Sequence, residues 1–96
     1  MKGKFITVEG SDGSGKTTFI NSATEYLIKK GYKVITTREP GGTVFSEKVR
    51  ELLFDSSNEI DAKTESLLFC VSRRDHIIKK IIPYVEEGYI VICDRF

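Results

Sequence analysis

The chain has 96 residues, a formal net charge of +1, 40% apolar residues and 30% charged residues. This length suits one small domain, and the composition is ordinary for a soluble globular protein. The near-neutral charge argues against nucleic-acid or membrane partners, and no apolar run reaches membrane-spanning length. We expect a cytoplasmic protein, because residues 1–4 lead directly into a short predicted strand and not into a signal peptide.

The first predicted strand, residues 5–9, enters a glycine-rich loop. Residues 10–17 match the phosphate-loop pattern G-x-x-x-x-G-K-[ST], in which backbone N–H groups cradle a polyphosphate and glycines permit its close approach. Lys16 is placed to reach the β- and γ-phosphates, and the Thr17 hydroxyl is placed to bind Mg²⁺. The residues predicted to bind the nucleotide are Gly10, Ser11, Asp12, Gly13, Ser14, Gly15, Lys16, Thr17 and Thr18.

A helix is predicted to leave this loop over residues 16–30, with its N-terminus directed at the anion. Ile20, Ala23 and Leu27 recur at helical spacing, and Gly31 is a suitable end. A second strand follows at residues 33–37. The charged turn Arg-Glu-Pro-Gly-Gly-Thr, residues 38–43, comes directly after it.

Two further helical segments are predicted between the second and third strands. The first covers residues 46–54 with Ser46 as its cap, and a polar loop at 55–59 follows. The second runs from a cap at Asp61 to residue 87. Pro83 should kink or interrupt it, with Ile82 biased away from helical dihedral angles.

Three side chains of the long helical segment and the two cysteines allow simple structural interpretations. Phe69 and Arg73 share a helix face, and spacing alone favours a core residue beside a solvated neighbour. His76 has no carboxylate or hydroxyl at a diagnostic spacing and is interpreted as structural or surface-exposed. Cys70 and Cys93 lie in apolar runs and are predicted to be small buried side chains.

The third predicted strand, residues 89–93, is continuously apolar, which suits a parallel strand covered on both faces. The alternation of strands and helices predicts an α/β fold with right-handed crossovers. In such sheets ligands bind at the carboxyl ends of the strands, where the phosphate loop, Arg38, Asp94 and Arg95 all fall. Asp94 suits Mg²⁺ binding, and the two arginines indicate a second phosphorylated ligand.

With these segments in order, the chain resembles the N-terminal half of the thymidylate kinase (dTMP kinase) family. The phosphate loop alone indicates only nucleotide binding, whereas the string around the charged turn is specific to the family. The strings that carry the resemblance are FITVEG at 5–10, TREPGGT at 37–43, ESLLF at 65–69 continuing to SRR at 72–74, and CDRF at 93–96.

The resemblance implies a three-layer α/β sandwich of the P-loop NTPase type, with the first three strands of its parallel sheet present here. It also implies transfer of the ATP γ-phosphoryl group to dTMP, giving dTDP, with ATP and Mg²⁺ as cofactors. Lys16, Asp94 and Arg95 would be catalytic, and Thr17 and Asp94 would hold the metal. Full-length relatives are expected to be homodimers.

The resemblance also implies roles for the acceptor-binding residues. Asp12 would bind the deoxyribose 3′-hydroxyl, Phe69 would stack on thymine, and Arg73 would bond its carbonyl edge. Arg38 and Arg95 would bind the acceptor phosphate. For Phe69 and Arg73 these roles replace the core-and-neighbour interpretation that spacing favours.

One position departs from the family pattern, and the length limits what we expect of the chain. Gly13 stands where some members have a catalytic arginine, so the resemblance implies an arginine from a later lid. Members are about twice this length on the usual domain scale, so residues 1–96 are expected to be the N-terminal portion of a single kinase domain, inactive alone. The alternatives are another P-loop nucleoside or deoxynucleoside monophosphate kinase, and nucleotide binding without turnover.

Overall fold

The computed structural model describes residues 2–11 and 13–95. Strand β1 (Lys4–Val8) is followed by helix α1 (Lys16–Lys29), strand β2 (Val34–Arg38) and helix α2 (Val44–Phe54). Helix α3 (Ala62–His76) continues through a π-helical segment (Ile77–Ile81) into helix α4 (Ile82–Glu86), and strand β3 (Ile90–Asp94) comes last. The predicted alternation is confirmed, with each strand displaced by one residue from its predicted bounds.

The strands form one parallel sheet in the order β1-β3-β2. In its register Ile92 of β3 lies beside Ile6 of β1 and Thr36 of β2. Residues 90–93 of β3 are all buried. Because successive side chains of a strand point to opposite faces, this burial means that helices cover the central strand on both sides.

The buried apolar side chains lie on the central strand and on helices beside the sheet. Ile20 of α1 clusters with Ile90 and Ile92 on one face, and Leu27 packs against that cluster, so the inward side of α1 is as predicted. On the helices of the β2–β3 crossover, Val49 and Ile81 are the buried apolar side chains. The result is the expected α/β arrangement with a partial, three-stranded parallel sheet.

Helix α2 begins earlier than predicted, and its cap is Thr43 and not Ser46. The Thr43 hydroxyl accepts a hydrogen bond from the Ser46 N–H at 3.0 Å, which satisfies a donor of the first helical turn. Ser46 is fully buried inside the helix, and its hydroxyl donates to the Ser72 carbonyl of α3 at 2.7 Å. The predicted cap therefore joins two helices.

The α-helical pattern is interrupted before Pro83, as predicted, by the π-helical segment, but Ile82 keeps helical geometry, so that part of the prediction was wrong. Ile82 has φ −59° and ψ −50°, and its N–H donates to the Ile77 carbonyl in the wider π-helical pattern. This pattern ends where α4 begins, which places Pro83 in the first turn of α4. A first turn needs no N–H donor from proline.

Several large apolar side chains lie at the surface of the described structure. On β1, Phe5 is 37% exposed and Ile6 42% exposed, and Phe19 on α1 is 59% exposed. Among the described residues, no helix combines the length and apolar character needed to cross a membrane.

Candidate active site

The phosphate loop has the backbone geometry that its glycines allow. Gly13 and Gly15 have φ of 83° and 84°, in the left-handed region that other residues rarely adopt. The Ser14 N–H donates to the Ser11 carbonyl at 3.2 Å and closes the turn. The lining of the resulting hollow, of about 280 Å³, is Ser11, Gly13, Gly15, Lys16, Thr17 and Thr18. Asp12 lies outside the described residues.

The phosphate-loop lysine lies against the end of the central strand. The Lys16 ammonium forms an ion pair with the Asp94 carboxylate, and the lysine side chain is only 8% exposed. Asp94 and Thr17 line the same open groove of about 810 Å³, beside Arg38 and Thr43. The end of β1 and the end of β3 therefore meet, as the parallel topology predicts.

A second pocket, of about 320 Å³, brings together side chains from all three strand ends. Its lining is Lys16, Arg38, Glu39, Pro40, Arg50, Phe54, Asp94 and Arg95. Arg95 has φ of 68°, a conformation uncommon for a residue with a side chain, and its N–H donates to the Val8 carbonyl at 2.9 Å. Four cationic groups in one pocket suit a phosphorylated ligand.

Arg38 forms an ion pair with Glu47 of α2. Its Nη2 atom donates to Glu47 Oε1 at 2.6 Å and its Nε atom to Oε2 at 3.3 Å. Glu47 Oε2 also accepts from the Gly42 N–H at 2.8 Å. The hydrogen bond from Arg38 lowers the pKa of Glu47, and the same hydrogen bond raises the pKa of Arg38. Glu47 therefore holds both Arg38 and the glycine turn.

Sequence reasoning missed Arg50, the fourth cation of this pocket. Its Nη1 atom donates to the Pro40 carbonyl at 2.9 Å, and its guanidinium lies 4.9 Å from the centre of the Phe54 ring. Burial and the repulsion of Arg38 lower the pKa of Arg50. The sequence held one signal for its position. Arg50 lies four residues after Ser46 and four before Phe54, so the three share one face of α2.

A buried group of side chains joins the charged turn to α3. Glu39 is 7% exposed, and its Oε1 atom accepts from Arg73 Nε at 3.4 Å. Its Oε2 atom contacts His76 Nδ1, and His76 Nε2 lies 2.7 Å from the Thr37 hydroxyl. Of the two interpretations of His76 from the sequence, the structural one is confirmed and the surface-exposed one is wrong, because the side chain is buried. Its carboxylate and hydroxyl partners come from β2 and the turn, which no local spacing could indicate.

The predicted base-binding pair, Phe69 and Arg73, lies on α3. Phe69 is half-buried, and the Arg73 side chain is 45% exposed while it contacts Glu39.

The two cysteines differ in burial. Cys93 is buried, and burial raises the pKa of its thiol to about 12. Cys70 is exposed, so the prediction of burial was wrong for it, because α3 turns this position outward.

The oxygen donors near the phosphate loop fit Mg²⁺. The Thr17 hydroxyl and the Asp94 carboxylate line one groove, and hard oxygen ligands of this kind are those that Mg²⁺ prefers. Within residues 2–11 and 13–95 no group of three or more His, Cys, Asp or Glu side chains is arranged to hold a metal. A magnesium ion here would take its remaining ligands from phosphate oxygens and water, its usual manner of binding beside a nucleotide.

The fold and this cradle define an α/β protein of the P-loop class. The family model described as thymidylate kinase matches residues 8–96, and the chain belongs to that family. It is 52% identical to the thymidylate kinase of Caldicellulosiruptor saccharolyticus over 96 residues, covering 100% of this chain and 47% of the relative. The corresponding figures for the thymidylate kinase of a Thermoanaerobacter species are 54%, 100% and 47%.

Similarity to a solved structure extends over the whole chain. The crystal structure of thymidylate kinase from Ehrlichia chaffeensis superposes with a TM-score of 0.88 at 47% sequence identity, covering 100% of this chain and 55% of that one. The chain thus spans about half the length of the relatives that it matches.

Proposed function

We propose that the chain is the N-terminal portion of a single P-loop kinase domain that transfers the γ-phosphoryl group of ATP to dTMP, giving dTDP for dTTP synthesis. Membership of the thymidylate kinase family supports the reaction and its substrates. The observation that carries the proposal is one shared pocket. The phosphate loop that follows β1 contributes Lys16, the end of β2 contributes Arg38, and the end of β3 contributes Asp94 and Arg95. Phosphoryl transfer depends mainly on positioning and charge neutralisation, which such a pocket provides.

On the donor side, the phosphate loop binds the ATP polyphosphate through its backbone N–H groups. Lys16 exchanges its ion pair with Asp94 for contact with the phosphates, since the two side chains already meet where the β1 and β3 ends converge. This exchange leaves the Asp94 carboxylate available to a cation. Thr17 and Asp94 would hold Mg²⁺, which when bound neutralises developing charge on the phosphates.

On the acceptor side, Arg38 and Arg95 bind the dTMP phosphate, and Arg50 adds a third cation to the same pocket. Arg38 is held by Glu47 at the pocket edge and needs only a side-chain movement to contact a phosphate. Asp12, Phe69 and Arg73 bind the sugar and the base. A base that lacks the matching acceptor leaves an arginine donor unpaired, which favours thymine.

The substrate assignment is tested with Phe69→Ala and Arg73→Ala. Both should weaken dTMP binding and leave ATP binding unchanged. If both variants keep the dTMP affinity of the parent chain, another nucleoside monophosphate kinase becomes the better proposal.

Nucleotide binding without turnover is a second candidate for the chain itself, favoured by its spanning about half of its relatives. An assay that follows dTDP formation from ATP and dTMP separates the two. Steady-state turnover by the 96-residue chain contradicts the second candidate. Binding of both nucleotides without dTDP formation supports it.

The proposal includes a homodimer in the full-length protein and a cytoplasmic location, where the ATP and deoxynucleotide pools lie. Phe45 of α2, Val71 of α3 and Ile78 of the π-helical segment are each about half exposed, and they line one shallow apolar depression. Burial of such a surface against a second copy is favourable. Light scattering that gives the monomer mass for the full-length protein would contradict the dimer.

A further inference from the structure

The Glu39 carboxylate links the charged turn to two side chains of α3. One carboxylate oxygen contacts the Arg73 guanidinium and the other contacts the His76 imidazole. Glu39 is 7% exposed, and a buried carboxylate is costly unless charged or hydrogen-bonding partners surround it. Glu39 therefore needs both Arg73 and His76 beside it. Because the two side chains share this carboxylate, the position of each depends on the other.

The His76 ring is held from three sides. A carboxylate can only accept, so Nδ1 carries the hydrogen that faces Glu39, and in the neutral ring Nε2 accepts from the Thr37 hydroxyl. A Cβ atom added at Gly42 would lie 2.3 Å from His76 Nε2. His76 is 0% exposed, so it meets no ligand directly, and Glu39 is the side chain that it shares with Arg73.

Arg73 gains a defined orientation from this arrangement. Its side chain is 45% exposed, and an unrestrained arginine loses rotamer entropy when it binds. The guanidinium is planar, so the contact of Nε with Glu39 restricts the plane of the whole group. An arginine oriented in advance binds a base edge with less entropic cost.

We propose that Glu39 and His76 are positioning residues that hold Arg73 for thymine, and that they set the preference for dTMP over dCMP. The proposal rests on the proposed function, in which Arg73 bonds the carbonyl edge of the base. Thymine and cytosine differ along that edge, because cytosine has an amino group in place of the 4-carbonyl. A positioned arginine donor finds an acceptor on thymine and faces a donor on cytosine.

The test compares dTMP and dCMP binding by calorimetry for the parent chain, Glu39→Gln and His76→Ala. The ratio of dTMP to dCMP affinity should fall about tenfold in both variants, the effect expected when a hydrogen bond to a charged group is lost. The affinity for dCMP should stay within about twofold. His76→Asn, which keeps an N–H donor near the position of Nδ1, should retain more of the ratio than His76→Ala.

A second readout needs no nucleotide. The Nε–H hydrogen of Arg73 should exchange with solvent faster in Glu39→Gln and His76→Ala than in the parent chain. The exchange rate is measured by NMR from the ¹⁵N-correlated signal of this group. Ser72→Ala is the matched control, because it removes a buried hydroxyl that has no hydrogen-bond partner within residues 2–11 and 13–95. Ser72 lies one turn before His76, and the substitution leaves the Glu39 contacts in place. It should change neither the ratio nor the Arg73 signal.

An unchanged affinity ratio in folded variants would overturn the proposal, and so would an equal loss of dTMP and dCMP binding, the mark of a purely structural contact. If His76→Ala does not fold, Glu39→Gln and His76→Asn decide the matter by the same criteria. Equal binding of dTMP and dCMP by the parent chain would contradict the proposed function, and the selectivity claim with it. An Arg73 signal that is insensitive to both substitutions would overturn the positioning claim even if dTMP selectivity is present.

Discussion

Lys16 is the residue with the most direct chemical role in the account. Lys16→Ala should weaken ATP binding at least tenfold, because a hydrogen bond to a charged group contributes about 1.5–3 kcal/mol. Calorimetric titration of ATP measures the loss. Lys29→Ala, at an exposed lysine of the same helix paired with Glu25, is the control and should bind ATP as the parent chain does. Equal ATP affinities for Lys16→Ala and the parent chain would contradict the donor site.

The Arg38–Glu47 pair predicts a pH dependence of stability. Arg38 lowers the pKa of Glu47 below its ordinary value of 4.5, so the pair stabilises the fold above that pH, and the effect is lost as the pH falls through the lowered value. Glu47→Gln should lower the free energy of unfolding at pH 7 by about 0–1 kcal/mol, the range for exposed pairs. Urea unfolding should show the difference narrowing below pH 4.5.

A double-mutant cycle supplies the control for that prediction. In the Arg38→Gln background, Glu47→Gln should have a smaller effect at pH 7 than in the parent chain, since the partner is already gone. An effect of Glu47→Gln that is equal in both backgrounds would show that the Gly42 contact, and not the ion pair, is what Glu47 contributes.

At the residue scale, the sequence could predict those residues whose placement depends on local pattern. Lys16 and Thr17 were predicted as phosphate-loop residues because such a loop is a contiguous string with a fixed geometry. Arg50 and the partners of His76 were not found, because their contacts join the turn after β2 to separate helices. Such contacts depend on tertiary packing, which one sequence does not specify by spacing.

At the scale of elements, two connections depend on glycine for different reasons, the turn between β2 and α2 and the end of α1. Gly42 has φ of 97° and no room for a Cβ atom beside His76, whereas Gly31, after α1, has φ of 95° and open space around it. Gly31→Ala should cost about 1–2 kcal/mol from backbone strain alone. Gly42→Ala should cost more in urea unfolding, because strain and overlap with His76 add. Equal losses would contradict the close packing of His76 against the turn.

The elements themselves were largely predictable, and their ends were not. Apolar periodicity located α1 and the buried strand β3, because both patterns extend over many residues. Ser46 and Thr43 are both suitable cap residues by type, with serine slightly preferred, and the path of the glycine turn selects Thr43. The π-helical segment before Pro83 has no sequence signal comparable to the proline itself.

At the scale of the whole molecule, the two thiols report how the fold protects its centre. Cys70 is exposed, while Cys93 lies in the central strand with its pKa raised to about 12. Because the thiolate is the reactive form, iodoacetamide at pH 8 should label Cys70 quickly. It should label Cys93 only when the sheet opens. Mass spectrometry of the labelled chain identifies the sites. Rapid labelling of both thiols in the absence of denaturant would contradict the buried position of β3.

We propose that the connections following the three strands of this chain build the site for the phosphate acceptor. The measurement that tests it most directly is calorimetric titration of dTMP, against dUMP, dGMP and AMP, into the chain after circular dichroism confirms that it is folded. We expect dTMP to bind more tightly than dGMP and AMP. The affinity for dUMP should be closest to that for dTMP, because uracil keeps the same carbonyl edge. A folded chain that binds none of the four, or all of them equally, would contradict this proposal.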